Sequence, residues 1–459
     1  MLCRAHICMI KKSFKNRIIS LLGLNAIVRS LHYRNYRLFF YGQTISLIGT
    51  WIQRIAVPWL VYRITGSVFL LGLVGFAGQI PTFLISPFAG VLIDRWNRHK
   101  ILVITQTLAL IQALVLALLF YEKSISVWHI AILSVFLGII NAFDMPARQS
   151  FVVDMIEKKE DLGNAIALNS SMVNSARLIG PSIAGILISL TGEGMCFLIN
   201  GISYIFVIAF LLMMKITPRE AKPQNRNVMQ NMKEGFRYTF GFIPIRYIIL
   251  LLALVSLMGM PYTVLMPVFA KTILHGGPHT FGFMMGATGI GALIGAFYMA
   301  SRKNVAGLEK FIPWFAAIFG FGLITFSLSH NFILSLGLLL ITGFGMLMQM
   351  TSSNTILQTI VDDDKRGRVM SFYTMAFMGT APFGSLLAGS LASKVGAPNT
   401  LLIGGVACIV GGLIFMRKLP EIKKSIHPIY IRLGILPEVA TGIQSTTELT
   451  SSPNEISSI

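Results

Sequence analysis

Gly90-Val-Leu-Ile-Asp94-Arg95-Trp-Asn97-Arg98-His-Lys100 lies between two long apolar runs and sets one carboxylate among three Arg or Lys groups and a His. A topological anchor needs only Lys and Arg on one side of a membrane. An Asp four residues after a Gly goes beyond that need, so the stretch reads as a working part wedged between two membrane helices. Topology setting is the plainer alternative.

The rest of the chain supplies the membrane. Of 459 residues, 54% are hydrophobic and 12% charged, about half the charge of a soluble domain. Apolar runs of membrane length recur at 38–62, 67–93, 100–121, 126–145, 163–190, 195–214, 247–270, 280–300, 309–329, 331–352, 368–391 and 398–416. In lipid each backbone polar group must be satisfied inside its own segment, so these runs are helices. The expected fold class is an all-α membrane protein of about twelve transmembrane helices in two six-helix pseudo-repeats. Its parts are a tail (1–37), a first bundle (38–214), a linker with an amphipathic stretch over Met232, Phe236 and Phe240 (215–246), a second bundle (247–416), and a tail (417–459) disordered from 441 onward.

The net charge of +20 does not point to nucleic acid, because the basic residues sit in short loops and form no stripe with aromatics. With both termini cytoplasmic, the outer loops hold only Arg63, Lys123, Lys271 and Lys394, the expected positive-inside bias. Residues 1–30 are basic without a cleavable apolar core and read as a cytoplasmic tail. The four cysteines have neither metal-ligand nor paired spacing, so no metal site is expected. No phosphate loop, dinucleotide turn or Ser-His-Asp arrangement is present, which argues against an enzyme.

The halves echo each other. Gly180-Pro181 in the fifth run recurs as Ala381-Pro382, and Asp161 before it as Asp362, both 201 residues later. Gly90 and its charged end have a worn counterpart at Gly295 to Lys303. Paired repeats with a site between them are a transporter architecture. Helical spacing sets Gln43, Ser46, Thr50, Gln53 and Arg54 on one face of the first span, and Ser170, Asn174 and Arg177 on one face of the fifth. Charge inside a span is costly and defaults to function. Gln43, Thr50, Arg54, Asn174 and Arg177 are therefore the substrate-cavity candidates. For Arg54, snorkelling to the outer surface is the alternative.

Gly90-x-Leu92-x-Asp94-Arg95-x-Asn97-Arg98-x-Lys100 resembles the loop signature of the major facilitator superfamily, with Asn97 at a family Gly and His99 at a basic position. Asn tolerates the left-handed turn that Gly would take. Asn141-Ala-Phe-Asp144-Met-Pro146-Ala-Arg148, Arg177-Leu-Ile-Gly180-Pro181-Ser-Ile-Ala-Gly185 and Arg366-Gly367-Arg368-Val369-Met370 look like the branch of enterobactin exporters and macrolide-type efflux pumps. Gly180, Pro181 and Gly185 resemble that superfamily's antiporter signature, Ala184 replacing one closing Gly; a helix bend or plain packing would each explain them. The resemblance implies a conformational latch of Gly90, Asp94, Arg95, Arg98 and Asp144. In it Asp94 faces the start of span eleven, and Arg98 reaches Asp144 at the end of span four.

The protein is accordingly expected to cross the plasma membrane many times, a bacterial inner membrane if the resemblance holds. It should export a small amphiphilic molecule, drug-like compound or siderophore, by alternating access. The energy source expected from the family is the proton gradient, with no bound cofactor. No Asp or Glu falls mid-span in the twelve runs, which leaves Asp144 as the plausible carrier. Two intramembrane arginines favour an anionic or amphiphilic substrate. The other partners expected are membrane lipids, with the chain a monomer. A lysophospholipid transporter and a non-transporting receptor or scaffold are the alternatives.

Overall fold

In the computed structural model, residues 29–215, 228–302 and 304–435 are described. Twelve helices among them are long and apolar enough to cross a membrane. The first set is α1 (Arg34–Thr65), α2 (Val68–Arg95), α3 (Arg98–Tyr121), α4 (Val127–Asp154), α5 (Lys159–Thr191) and α6 (Glu193–Leu212). A linker helix, α7 (Val228–Gly241), leads to α8 (Ile243–Ile273), α9 (Pro278–Ser301), α10 (Ile312–Ser327), α11 (Phe332–Ile360), α12 (Lys365–Val395) and α13 (Ala397–Arg432).

The two sets pack alike. In the first, α1 and α3 lie on α6 and α2 lies on α4; in the second, α8 and α10 lie on α13 and α9 lies on α11. The turn between the last two helices of each set is made by a glycine at positive φ, Gly192 (83°) and Gly396 (87°), a conformation few other residues adopt without strain. The sets meet along α5 against α9 and α2 against α12. We call the face bearing both ends of the described chain the basic face, and the opposite one the far face.

Several boundaries differ from the hydropathy reading. α4 continues to Asp154 instead of stopping at 145, because Asp144 and Arg148 pair with each other and need no water. α13 runs on through Pro420 and Pro428 to Arg432, where a tail was expected from 417. Ile422, Ile426 and Tyr430 are buried along this extension, and that apolar stripe holds it as helix. Asn97 does not take a left-handed turn: at φ −69° it caps α3, its side chain accepting the Lys100 amide at 3.2 Å. The Phe236 and Phe240 rings of α7 lie 4.5 Å apart and both meet Phe372 of α12. The side chain of Met232 and the tails before 29 and after 435 lie outside the described residues.

Asp161 and Asp362, matched in the sequence, are matched in space. Asp161 at the start of α5 pairs with Arg29 and accepts the Tyr33 hydroxyl at 2.7 Å, which holds that phenol above its usual range. Asp362, just ahead of α12, pairs with Arg432 at 3.2 Å. Each acid thus ties down the chain that enters or leaves its own half.

Candidate functional site

The deepest charges of the first half converge on one ring. The Arg54 guanidinium carbon stands 4.9 Å from the Trp51 ring centre, and that of Arg177 6.0 Å. Trp51 and Arg54 are on α1, Arg177 on α5. Trp51 fits there because residue 180 is Gly: a Cβ at that position would run into the Cβ of Trp51. Arg54 keeps side-chain surface uncovered by protein although it lies mid-helix. Arg177 lies at the seam of the halves, where a Cβ on Gly289 of α9 would come 3.6 Å from its carbonyl oxygen.

Each of these arginines stands four residues before a proline inside its helix, Pro58 and Pro181. A proline has no N–H to offer the carbonyl one turn back, so the carbonyls of Arg54 and Arg177 lose their ladder partners. Neither α1 nor α5 is broken there. The corresponding Pro382 of α12 instead follows a π-helical turn, Met375–Gly379.

Of the other cavity candidates, Gln43 accepts from Arg148 Nη1 at 3.2 Å, and Thr50 Oγ1 is 3.4 Å from the Tyr204 hydroxyl. Asn174 bonds back to Ser170 of its own helix, at 2.9 Å, and does not join the arginines. Gln53 donates to Gln112 at 3.0 Å and accepts from Asn200 at 2.7 Å, a buried chain tying α1 to α3 and α6.

Asp144 is where the sequence reading needs most correction. Arg98 does not reach it; it binds both carboxylate oxygens of Asp154, at 3.1 and 3.0 Å. Arg98 opens α3 at the basic face, and Asp144 is ten residues before Asp154, about 15 Å deeper along α4. There Asp144 is 3% exposed and lies well inside the helix. It pairs with Arg148 at 3.0 Å and accepts from Thr105 Oγ1 at 2.9 Å and Gln106 Nε2 at 2.7 Å. Gly90, Asp94 and Arg95 occupy the last turns of α2, with side chains outside the described residues.

The halves close on one another toward the far face. A Cβ on Gly185 would meet the Pro278 carbonyl at 2.8 Å and Gly282 Cα at 3.0 Å; one on Gly72 of α2 would meet the Ser385 carbonyl at 2.6 Å and Gly389 Cα at 2.7 Å. Trp59 stacks on Phe281 at 6.2 Å, and the Tyr62 hydroxyl is 2.8 Å from Thr272 Oγ1. The Gly180-Pro181-Gly185 stretch therefore serves two contacts: Gly180 admits Trp51 and Gly185 admits the opposite half.

Trp51 and Arg148 did not emerge from the sequence as site residues. Trp51 was detectable as the aromatic three residues before Arg54 on the same face. Arg148 was detectable as the base one helical turn after Asp144, a spacing that pairs side chains within a helix.

A family model described as transmembrane secretion effector matches residues 28–431. The staphyloferrin A transporter of Staphylococcus aureus is 27% identical over 397 residues, covering 85% of this chain and 99% of its own length. Macrolide efflux protein A of Streptococcus pyogenes is 23% identical over 405 residues, covering 85% and 98%. A bacterial homologue of the iron transporter ferroportin superposes in its inward-facing state with TM-score 0.63 at 18% identity, covering 84% of this chain and 98% of that one. In its outward-facing state the TM-score is 0.54 at 19% identity, covering 83% and 98%. Fold and relatives are those of transporters, not of enzymes. Twelve membrane-length helices in two like-packed sets, matched along nearly their whole run, place the chain in the transmembrane secretion effector family of major facilitator transporters.

Proposed function

We propose that the protein exports a small amphiphilic molecule from the cytoplasm by alternating access between its two halves, in exchange for protons. Drug-like compounds and siderophores are the substrate classes. The observation carrying this reading is Arg54, a mid-span arginine left uncovered by protein in a bundle whose far end is shut by backbone-to-backbone contacts. Positive-inside bias argues for a cytoplasmic basic face, so with the far face shut the substrate loads from the cytoplasm. The closer superposition on the inward-facing relative agrees with that orientation. Among the described acids, Asp144 is the one buried in mid-span, and we assign it the proton.

Inside-out vesicles carrying the full chain test this. Imposed acidification of the lumen should drive accumulation of substrate from a panel of fluorescent amphiphiles, and a proton–potassium exchanger should collapse it. Accumulation in energised right-side-out vesicles instead would make the protein an importer. The latch implied by the family resemblance adds one prediction: Asp94→Asn should lower transport about tenfold at unchanged protein level, the loss expected when a carboxylate that a latch sets against a helix N-terminus is neutralised. Unchanged transport by that variant would remove Asp94 from the mechanism.

A further inference from the structure

We propose that Trp51, Arg54 and Arg177 bind the anionic end of the exported molecule, so that the substrate is an amphiphile carrying a carboxylate, sulfonate or phosphate beside a flat apolar body. This rests on the export reading and adds the charge class that it lacks.

Other arginines of the first half show what is unusual. Arg29, Arg63, Arg98 and Arg148 meet Asp161, Glu193, Asp154 and Asp144 respectively. Arg54 and Arg177 meet no carboxylate among the described residues, yet they lie far from either end of their helices. Unpaired charge in a membrane bundle is costly and is retained where something pairs with it. Two like charges within 6.0 Å of one indole also repel each other, which an anion between them would relieve.

The chemistry of the pair narrows the ligand. A guanidinium presents a planar fork of donors that matches a carboxylate or phosphate two bonds at a time. Its contact with the indole face fixes that fork without using its donors. The indole in turn offers a flat apolar surface to whatever adjoins the anionic group. A cationic drug would meet two positive charges, since the nearby acid, Asp144, is already occupied by Arg148, Thr105 and Gln106.

Two fluorescent probes of opposite charge, carboxyfluorescein and rhodamine 123, separate the possibilities. Binding would be read by fluorescence polarisation on the full chain in nanodiscs, and transport by accumulation in inside-out vesicles. Carboxyfluorescein should bind and accumulate in preference to rhodamine 123. Arg54→Gln and Arg177→Gln should each weaken its binding about tenfold, since a charge-assisted bond is lost. Arg54→Lys, which keeps charge but not the fork, should fall between. Size-exclusion profiles identical to the parent would confirm that the variants fold.

Rhodamine 123 transport without carboxyfluorescein binding would overturn this inference and leave export standing. Carboxyfluorescein binding that is sensitive to both arginines, without accumulation of either dye, would support the inference and overturn export. Carboxyfluorescein binding unchanged in both Gln variants would overturn the assignment to these residues.

Discussion

Arg148→Met alone is expected to destabilise the folded protein by about 3–5 kcal/mol, the usual cost of removing one partner of a buried ion pair. The substitution keeps a side chain of similar length but leaves Asp144 buried without its ion-pair partner, with Thr105 and Gln106 as its remaining partners. It also strips Gln43 of the donor it accepts from. The loss should reverse largely in Arg148→Met with Asp144→Leu, because an apolar pair of like volume replaces an ionic one at little net cost. Thermal unfolding of purified protein in detergent, followed by aggregation onset, reads both. A double variant no more stable than Arg148→Met would mean that the pair does not carry the stability. Restored folding without restored transport in the double variant is the further outcome expected if Asp144 carries the proton.

Gly185→Val is expected to open the far face. Its first added carbon would meet the Pro278 carbonyl at 2.8 Å and Gly282 Cα at 3.0 Å, both of them backbone atoms that cannot swing away. Overpacking at such a contact costs about 1–3 kcal/mol. Under the proposed alternating access a far-face-open state would lose this contact, so the balance between states should shift about 5- to 150-fold. Ser385→Cys supplies the reporter: this position is 3% exposed in the other far-face contact, α2 against α12, where it meets Gln79. A membrane-impermeant maleimide added from the far face should label Ser385→Cys faster when Gly185→Val is also present. Equal labelling rates would show that the glycine contact is not the seal.

The twelve spans were legible because lipid leaves a backbone no partner but its own helix, so apolar length alone locates them. The ends were less legible where charge is satisfied by protein. Hydropathy treats Asp144 and Arg148 as wet, and nothing in a one-dimensional scan distinguishes water from an arginine one turn away. Helix α13 ran past its expected end for a related reason: Ile422, Ile426 and Tyr430 recur at helical spacing among lysines that mask them. Arg54 and Arg177 stood out because charge is rare in spans. Trp51 did not, since an aromatic in a span is ordinarily lipid-facing or core. The partner of Arg98 was missed because it depended on where α4 ends.

The two prolines give α1 and α5 a mechanical order. Along α1, Arg54 is followed by Pro58 and then by Trp59 and Tyr62, which touch the other half; along α5, Arg177 is followed by Pro181 and then by Gly185. Arginine, proline and inter-half contact thus succeed one another within about two helical turns on both helices. If the arginines hold the substrate as proposed, the segments beyond the prolines would serve as short levers. A pull on either guanidinium would then act at the turn whose carbonyl the proline has deprived of its ladder bond, next to the contact that closes the far face.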